Sequence, residues 1–338
     1  MGQSNSRLTA NTQPVSRAVT IPRRWFQNIG PVAALIVLAL AFQALSGSFL
    51  TPGNLASIVE AAAIPAILAV GLTFVIILGS IDLSLEGIMA TSSMTVSLLV
   101  ANAVNPNAFG VFGIVAALAI GLLFGLFNGV LNAVLKMPSL IVTLGTWFVG
   151  LGVAAVLFPA RVPQIHEPLV LDLARTHIFS LSLTVYLAVA VVAVSYAILH
   201  YTAFGRMSYA IGGDEGILVA SGLPVRRYKV AAFAISGTVA AFAGLLLSAQ
   251  LSNGDANIGD GLLFPAISAA VLGGTTLMGG RGGALQSAMG ALLLEELNNG
   301  LIQIGAGPYT RNIISGAVIV TAVAITGWRL RAKLRVVK

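Results

Sequence analysis

Ten apolar stretches, most of them near the roughly 20 residues a helix needs to cross a bilayer, constrain this chain more than any other feature. They fall at about 31–47, 55–79, 84–104, 109–135, 139–158, 179–199, 229–251, 262–278, 284–303 and 310–327. Hydrophobic residues make up 57% of the chain and charged residues 9%, where soluble domains are about one quarter charged. The expected fold is therefore all-α, a polytopic transmembrane helical bundle of about ten spans. We expect one transmembrane domain over 31–328, a basic cytoplasmic tail at 1–30, a long cytoplasmic loop at 200–229 and a basic tail at 329–338. The first apolar run follows some 30 polar residues and is one of many such runs, so it reads as an uncleaved span rather than a signal peptide.

Charge gives the orientation. With the N-terminus inside, 15 of the 18 basic residues fall on the inner side, and only Arg161, Arg175 and Arg311 fall outside. This obeys the positive-inside rule and places both termini in the cytoplasm. The net charge of +7 is thus a topology signal, because the basic residues lie between apolar spans and form no nucleic-acid face. The chain has no cysteine and only three histidines, without metal-ligand spacing.

Six glycines crowd the run from Gly273 to Gly283, with apolar sequence on both sides. Irregular backbone survives at membrane depth only where protein or a water-filled cavity covers it, so Gly273, Gly274, Gly279 and Gly280 predict a helix bend or a close approach. The segment lacks the lysine of a phosphate-binding loop, and no such loop occurs elsewhere. A similar stretch, Ala69 to Ser84, enters its own bend from the same side; apolar helices resemble one another by composition, and that accounts for the echo unless the two bends face one pathway.

Polar residues inside the spans are costly and therefore informative. Glu295, Asn298, Asn299 and Gln303 share a helical face, with Glu296 beside them. They read either as pathway lining or as an interhelical or dimer contact. Asn128 and Asn132, four residues apart, pose the same choice, with structural hydrogen bonding the simpler reading. Asp82 and Glu86 read as a cytoplasmic gate or, more simply, as an N-cap with a first-turn acid. Glu60 and Pro65 suggest a helix broken near its outer end, and Trp147 reads as bundle packing or a stacking surface. The loop at 200–229 contains a short helix from Glu215 to Ser221, with Asp214 placed to cap it. No serine, histidine and carboxylate set occurs at membrane depth.

Several segments together resemble the permease family of bacterial ABC importers for monosaccharides, which includes the ribose, xylose and arabinose systems. They are Ala69-Val-Gly-Leu-Thr-Phe-Val-Ile-Ile with Ile81-Asp-Leu-Ser84, Pro138 to Gly145, Phe204 to Gly213 with Ser221-Gly-Leu223, Val271-Leu-Gly-Gly-Thr275 with Gly279-Gly280, and Asn298-Asn-Gly-Leu301. The chain departs from the family at Ser80 and Glu86, at Leu262 to Ala266, and at Glu295 and Glu296.

The resemblance implies a non-enzymatic transport subunit of the bacterial inner membrane that carries a monosaccharide or similar small polar solute by alternating access. Its implied partners are a cytoplasmic ABC ATPase that binds ATP and Mg, a soluble solute-binding protein and a second permease copy or paralogue, with no cofactor held by this chain. The resemblance also makes Gly212, Gly213, Asp214, Glu215 and Ser221 the expected ATPase-coupling residues. A proton- or sodium-coupled secondary transporter, with Glu295, Glu296 and Asp82 as coupling groups, is the main rival. An intramembrane enzyme is the remaining one.

Overall fold

The computed structural model describes residues 23–334; the parts of the expected basic tails at 1–22 and 335–338 lie outside the described residues. The helices are α1 (Arg23–Ser46), α2 (Pro52–Ile77), α3 (Leu85–Leu99), α4 (Val111–Ala133), α5 (Ser139–Leu157) and α6 (Pro168–Arg175), followed by the hairpin strands β1 (His177–Ile178) and β2 (Leu181–Ser182). Then come α7 (Leu183–Tyr201), α8 (Ala203–Gly213), α9 (Glu215–Ala220), α10 (Val225–Leu251), α11 (Leu263–Leu272), α12 (Ala284–Gln303) and α13 (Pro308–Leu334). Helix accounts for about three quarters of the described residues. Among the described residues five helices, α2, α4, α5, α7 and α10, are long and apolar enough to cross a membrane. With apolar α3 and α11 and the apolar part of α1 beside them, the chain is a multi-pass helical membrane protein.

Burial separates the centre of the bundle from its rim. The most apolar stretch of α2 is 89% buried inside the protein and that of α10 is 61% buried, whereas α4, α5 and α7 reach only 28%. A helix apolar all round and enclosed by protein belongs to the core, and one with an exposed apolar face meets lipid or another chain. Pro65 lies inside α2, which nevertheless runs unbroken from Pro52 to Ile77, so the break expected near Glu60 and Pro65 is absent. Proline removes one backbone hydrogen bond and crowds the preceding turn. Here the enclosing helices keep the turn closed, and the Glu60 carboxylate is spent elsewhere: its Oε1 accepts the Ser182 amide at 3.0 Å.

Small residues set how closely the central helices approach. Gly121, Gly125 and Gly129 recur every four residues on α4 and lie against Phe233, Gly237 and Val230 of α10; at Gly129 a Cβ atom would stand 2.7 Å from the Val230 Cα. Gly87 of α3 meets Gly150 of α5 in the same manner. Such stripes bring backbones close enough for dispersion to hold helices together where lipid removes the hydrophobic drive.

The chain breaks regular structure at both ends of the bundle. At one end the 100–110 loop, the 158–182 segment and the turn after α10 are joined by isolated bridges, Asn102 with Ile165 and Gln164 with Asn253. The hairpin tip there, Phe179 and Ser180, is left-handed at both residues, the twist a two-residue turn requires. The opposite end carries α8 and α9.

Candidate functional site

Three elements meet at the α8–α9 end. Helix α2 finishes at Ile77, and residues 78–84 then run without helix to α3. The glycine-rich segment 273–283 separates α11 from α12, and α8 ends at Gly213. They converge on one carbonyl: the Gly280 amide donates to Ile77 O at 2.8 Å, and Gly212 packs so closely on the same oxygen that a Cβ atom there would collide with it.

The glycines of the bend divide by task. Gly274, Gly279 and Gly280 have φ of +105°, +82° and +71°, values that favour residues without a Cβ. Gly273 instead has an ordinary helical φ and packs against the Gln286 backbone of α12. The segment is a closed loop, in which the Thr276 amide donates to Arg281 O at 3.1 Å and Thr276 Oγ1 donates to Gly279 O at 2.9 Å. Tyr209 of α8 fastens it by donating its hydroxyl to Gly282 O at 2.8 Å, and burial pushes this phenol above the usual tyrosine range. Two hydroxyl contacts, Thr73 Oγ1 to Ser287 Oγ at 2.6 Å and Thr275 Oγ1 to Ser287 Oγ at 3.1 Å, tie α2 and the loop to α12.

Beyond Gly213 the chain turns into α9. Asp214 Oδ1 accepts the Ile217 amide at 3.1 Å and so caps this helix as the sequence predicts; Ser221 closes it by donating to Ile217 O at 2.8 Å. Glu215 pairs with Lys229 of α10 at 2.9 Å, the one ion pair among the described residues. Ile217 and Val219 are exposed, so α9 offers an apolar outer surface flanked by charge.

Deeper in the bundle lies a polar network with no basic member. Asp82 is wholly buried; its Oδ1 accepts both the amide, at 3.0 Å, and the hydroxyl of Ser84, and its Oδ2 accepts Ser236 Oγ of α10 at 2.8 Å. Asn128 of α4 donates to Ser84 Oγ at 2.9 Å, which joins α4, α10 and the start of α3. The N-cap of α3 is Ser84 rather than Asp82, because Asp82 folds a short turn two residues earlier and faces α10. Asn132 leaves this network and donates to Met137 O at 2.9 Å, closing the turn after α4.

Glu86 lies in the first turn of α3, as expected, and its side chain reaches a second helix. Its Oε1 accepts the Leu263 amide at 2.9 Å, so it caps the first turn of α11. The ten residues before Leu263 carry no helix and run beside α3, with Gly254 against Ser97 and Gly259 against Glu86. The eighth apolar stretch is thus helical over α11 and then enters the glycine-rich loop, while the turns of 253–262 precede it. An α-helix start inside a bundle leaves amides unpaired, and a carboxylate from a neighbour satisfies them.

A third polar group lies on α12 and α13. Asn298 Oδ1 accepts from Arg311 Nη1 at 3.0 Å, while Glu296 is buried with Oε2 unpartnered and Asn299 Oδ1 is likewise unpartnered. Gln303 stands near Ser48, 3.4 Å away. Asp82 and Asn128 therefore belong to one site, whereas Glu295, Asn298 and Asn299 belong to another flank. Trp147 is half-buried, packs on the main core and stacks on Phe148.

A family model described as "Branched-chain amino acid transport system / permease component" matches residues 54–323. The chain is similar to the ribose import permease protein of Bacillus subtilis (strain 168), 34% identical over 301 residues that cover 88% of this chain and 92% of that protein. It is 32% identical to the ribose import permease protein of Escherichia coli (strain K12), covering 93% and 98%, and 30% identical to the L-arabinose ABC transporter permease protein of Azospirillum brasilense, covering 94% and 95%. No solved structure matches the chain. The family description names an amino acid system and these relatives are sugar permeases, so membership fixes the kind of machine more tightly than its cargo. On a match covering most of its length, this chain belongs to the permease-component family of ABC import systems.

Proposed function

We propose that this chain is the membrane-spanning subunit of an importer for monosaccharides or similar small polar solutes in the bacterial inner membrane, driven by separate ATPase subunits that bind ATP and Mg. Similarity over about nine tenths of the ribose and arabinose permeases supports the solute class. In this reading α1–α5, α7 and α10–α13 form ten crossings, with the non-helical stretch before α11 completing its span. Both termini and the α8–α9 end are cytoplasmic, in keeping with Lys136, Arg206, Arg226, Arg227, Lys229 and Arg281 at that end. The hairpin end faces a solute-binding protein, and a second permease copy completes the pathway.

The observation that carries the mechanism is the contact of Gly212 with Ile77 and Gly280. An ATPase that docks on α9 through Gly213, Asp214, Glu215 and Ser221 pushes on α8. Because α8 rests directly on the end of α2 and on the glycine-rich bend that follows α11, that displacement reaches residues 78–84 directly and the start of α11 through the length of that helix. Asp82 and Asn128 hold one of these elements and Glu86 the other, so the two breaks move as a gate. Glu295, Asn298 and Asn299 line the pathway on the far flank of α12.

The test is reconstitution of the full chain in proteoliposomes with its ATPase and a ribose-loaded binding protein. Uptake should require ATP and persist when a protonophore collapses the proton gradient. Uptake without the ATPase that vanishes with the gradient overturns the proposal in favour of a secondary transporter. In that rival case E295Q and E296Q abolish transport; in the ATP-driven case each lowers it only modestly.

A further inference from the structure

A groove of about 550 Å³ opens on the outer surface between α4 and α10 at the α8–α9 end. Its walls are apolar, with Leu126 from α4, Val134 just past its end, and Ala234 and Ile235 from α10, and its mouth carries Arg226 and Arg227. Both arginines are exposed, and neither meets a carboxylate among the described residues, where the single ion pair is that of Lys229 with Glu215. From Arg226 to Ile235 the groove climbs about 13 Å along α10 at 1.5 Å per residue. In the orientation proposed above it begins at the cytoplasmic end of α10, at the two arginines, and runs up the apolar part of that helix.

We propose that this groove is a binding site for an anionic phospholipid of the leaflet on the α8–α9 side, the cytoplasmic one in the orientation proposed above. The headgroup phosphate sits between the two guanidiniums, whose planar donor forks match phosphate oxygens. An acyl chain lies along Leu126, Ala234 and Ile235. Basic pockets between transmembrane helices on the cytoplasmic side favour anionic headgroups through both the surface potential and direct pairing. Charge complementarity selects this occupant over a neutral lipid, and the depth of the apolar wall selects a lipid over a soluble protein. The same arginines also border a smaller hollow beside Val219 and Leu223, through which an ATPase docked on α9 approaches them; that protein is the rival occupant.

The groove adjoins the stripe formed by Gly121, Gly125 and Gly129, so a lipid there bears on the extensive packing of α4 against α10. The test is native mass spectrometry of the full chain released from detergent containing phosphatidylglycerol or phosphatidylcholine in equal amounts. The expected result is one tightly retained phosphatidylglycerol per chain, preferred about tenfold over phosphatidylcholine. R226Q/R227Q should remove the preference, A231W should lower retention by filling the groove with both arginines intact, and R206Q should change neither. Equal retention of the two lipids by the unaltered protein overturns the proposal without any appeal to variants. So does a double variant that keeps the preference while losing co-purification with the ATPase, which assigns the arginines to the protein partner.

Discussion

The Gly280 amide donates to the Ile77 carbonyl across 2.8 Å, and Gly212 fills the remaining space over that oxygen. One backbone atom therefore joins the end of α2, the glycine-rich bend and the last turn of α8. The neighbouring glycine, Gly213, has nothing within 4 Å of where its Cβ atom would stand. The two positions are adjacent in sequence and opposite in consequence. G212A should destabilise the protein by about 2 kcal/mol, as overpacking of a close contact does, and should cut ATP-driven uptake further than ATPase stimulation. G213A should shift stability by less than about 1 kcal/mol, in either direction, since alanine favours the helix. Thermal unfolding in detergent and uptake assays on the pair decide the matter; equal effects refute the junction.

Asp82 is a buried carboxylate satisfied by neutral donors alone, from Ser84 and Ser236. Asparagine can keep the acceptor toward Ser84 and offer its amide to the Ser236 hydroxyl, so D82N should retain the fold with a loss below about 1 kcal/mol. D82A strands three donors in the interior and should cost about 3 kcal/mol. Denaturation of the two variants distinguishes a hydrogen-bond hub from a required negative charge: a D82N protein as unstable as D82A shows that the charge matters.

Much of this architecture is legible from the chain itself, and the failures share a cause. Apolar runs of spanning length predict a helical membrane protein because the bilayer imposes length and hydropathy locally, and five of the described helices meet both requirements. The Asp214 cap is legible for the same reason, since its partner lies three residues away. Asp82 and Glu86 invite a local reading too, as cap and first-turn acid of α3, yet their decisive partners lie 154 and 177 residues further on. Pro65 suggests a break, but α2 is so enclosed that packing overrides the missing bond. The stripe of Gly121, Gly125 and Gly129 carried a usable signal in its spacing of four, although nothing in the sequence named α10 as the helix it meets.

Glu86 caps α11 from another helix, at the point where the turns of 253–262 give way to helix. E86Q retains a carbonyl oxygen for the Leu263 amide and should leave α11 in place. E86A removes the cap, at a cost of about 1 kcal/mol typical of N-cap loss, and the effect should be local. Amide hydrogen exchange followed by mass spectrometry should show faster exchange in 261–265 for E86A alone. Unchanged protection there would mean that packing, not the carboxylate, sets the helix start.

Coupling through α9 predicts a separation of stability from activity that ordinary surface chemistry does not give. Glu215 and Lys229 form an ion pair in which Glu215 is exposed and Lys229 partly covered, worth about 1 kcal/mol, so E215Q should alter unfolding only slightly. D214A loses the bond to the Ile217 amide and should fray α9 at a cost of about 1 kcal/mol, felt by a six-residue helix and hardly by the bundle. If α9 receives force from the ATPase, both variants should uncouple hydrolysis from uptake, D214A more strongly, while their melting curves stay close to that of the parent. Normal stimulation of the ATPase and normal uptake in D214A would show that α9 is only a connector, and the path of force would then have to enter α8 directly at Tyr209 and Gly212.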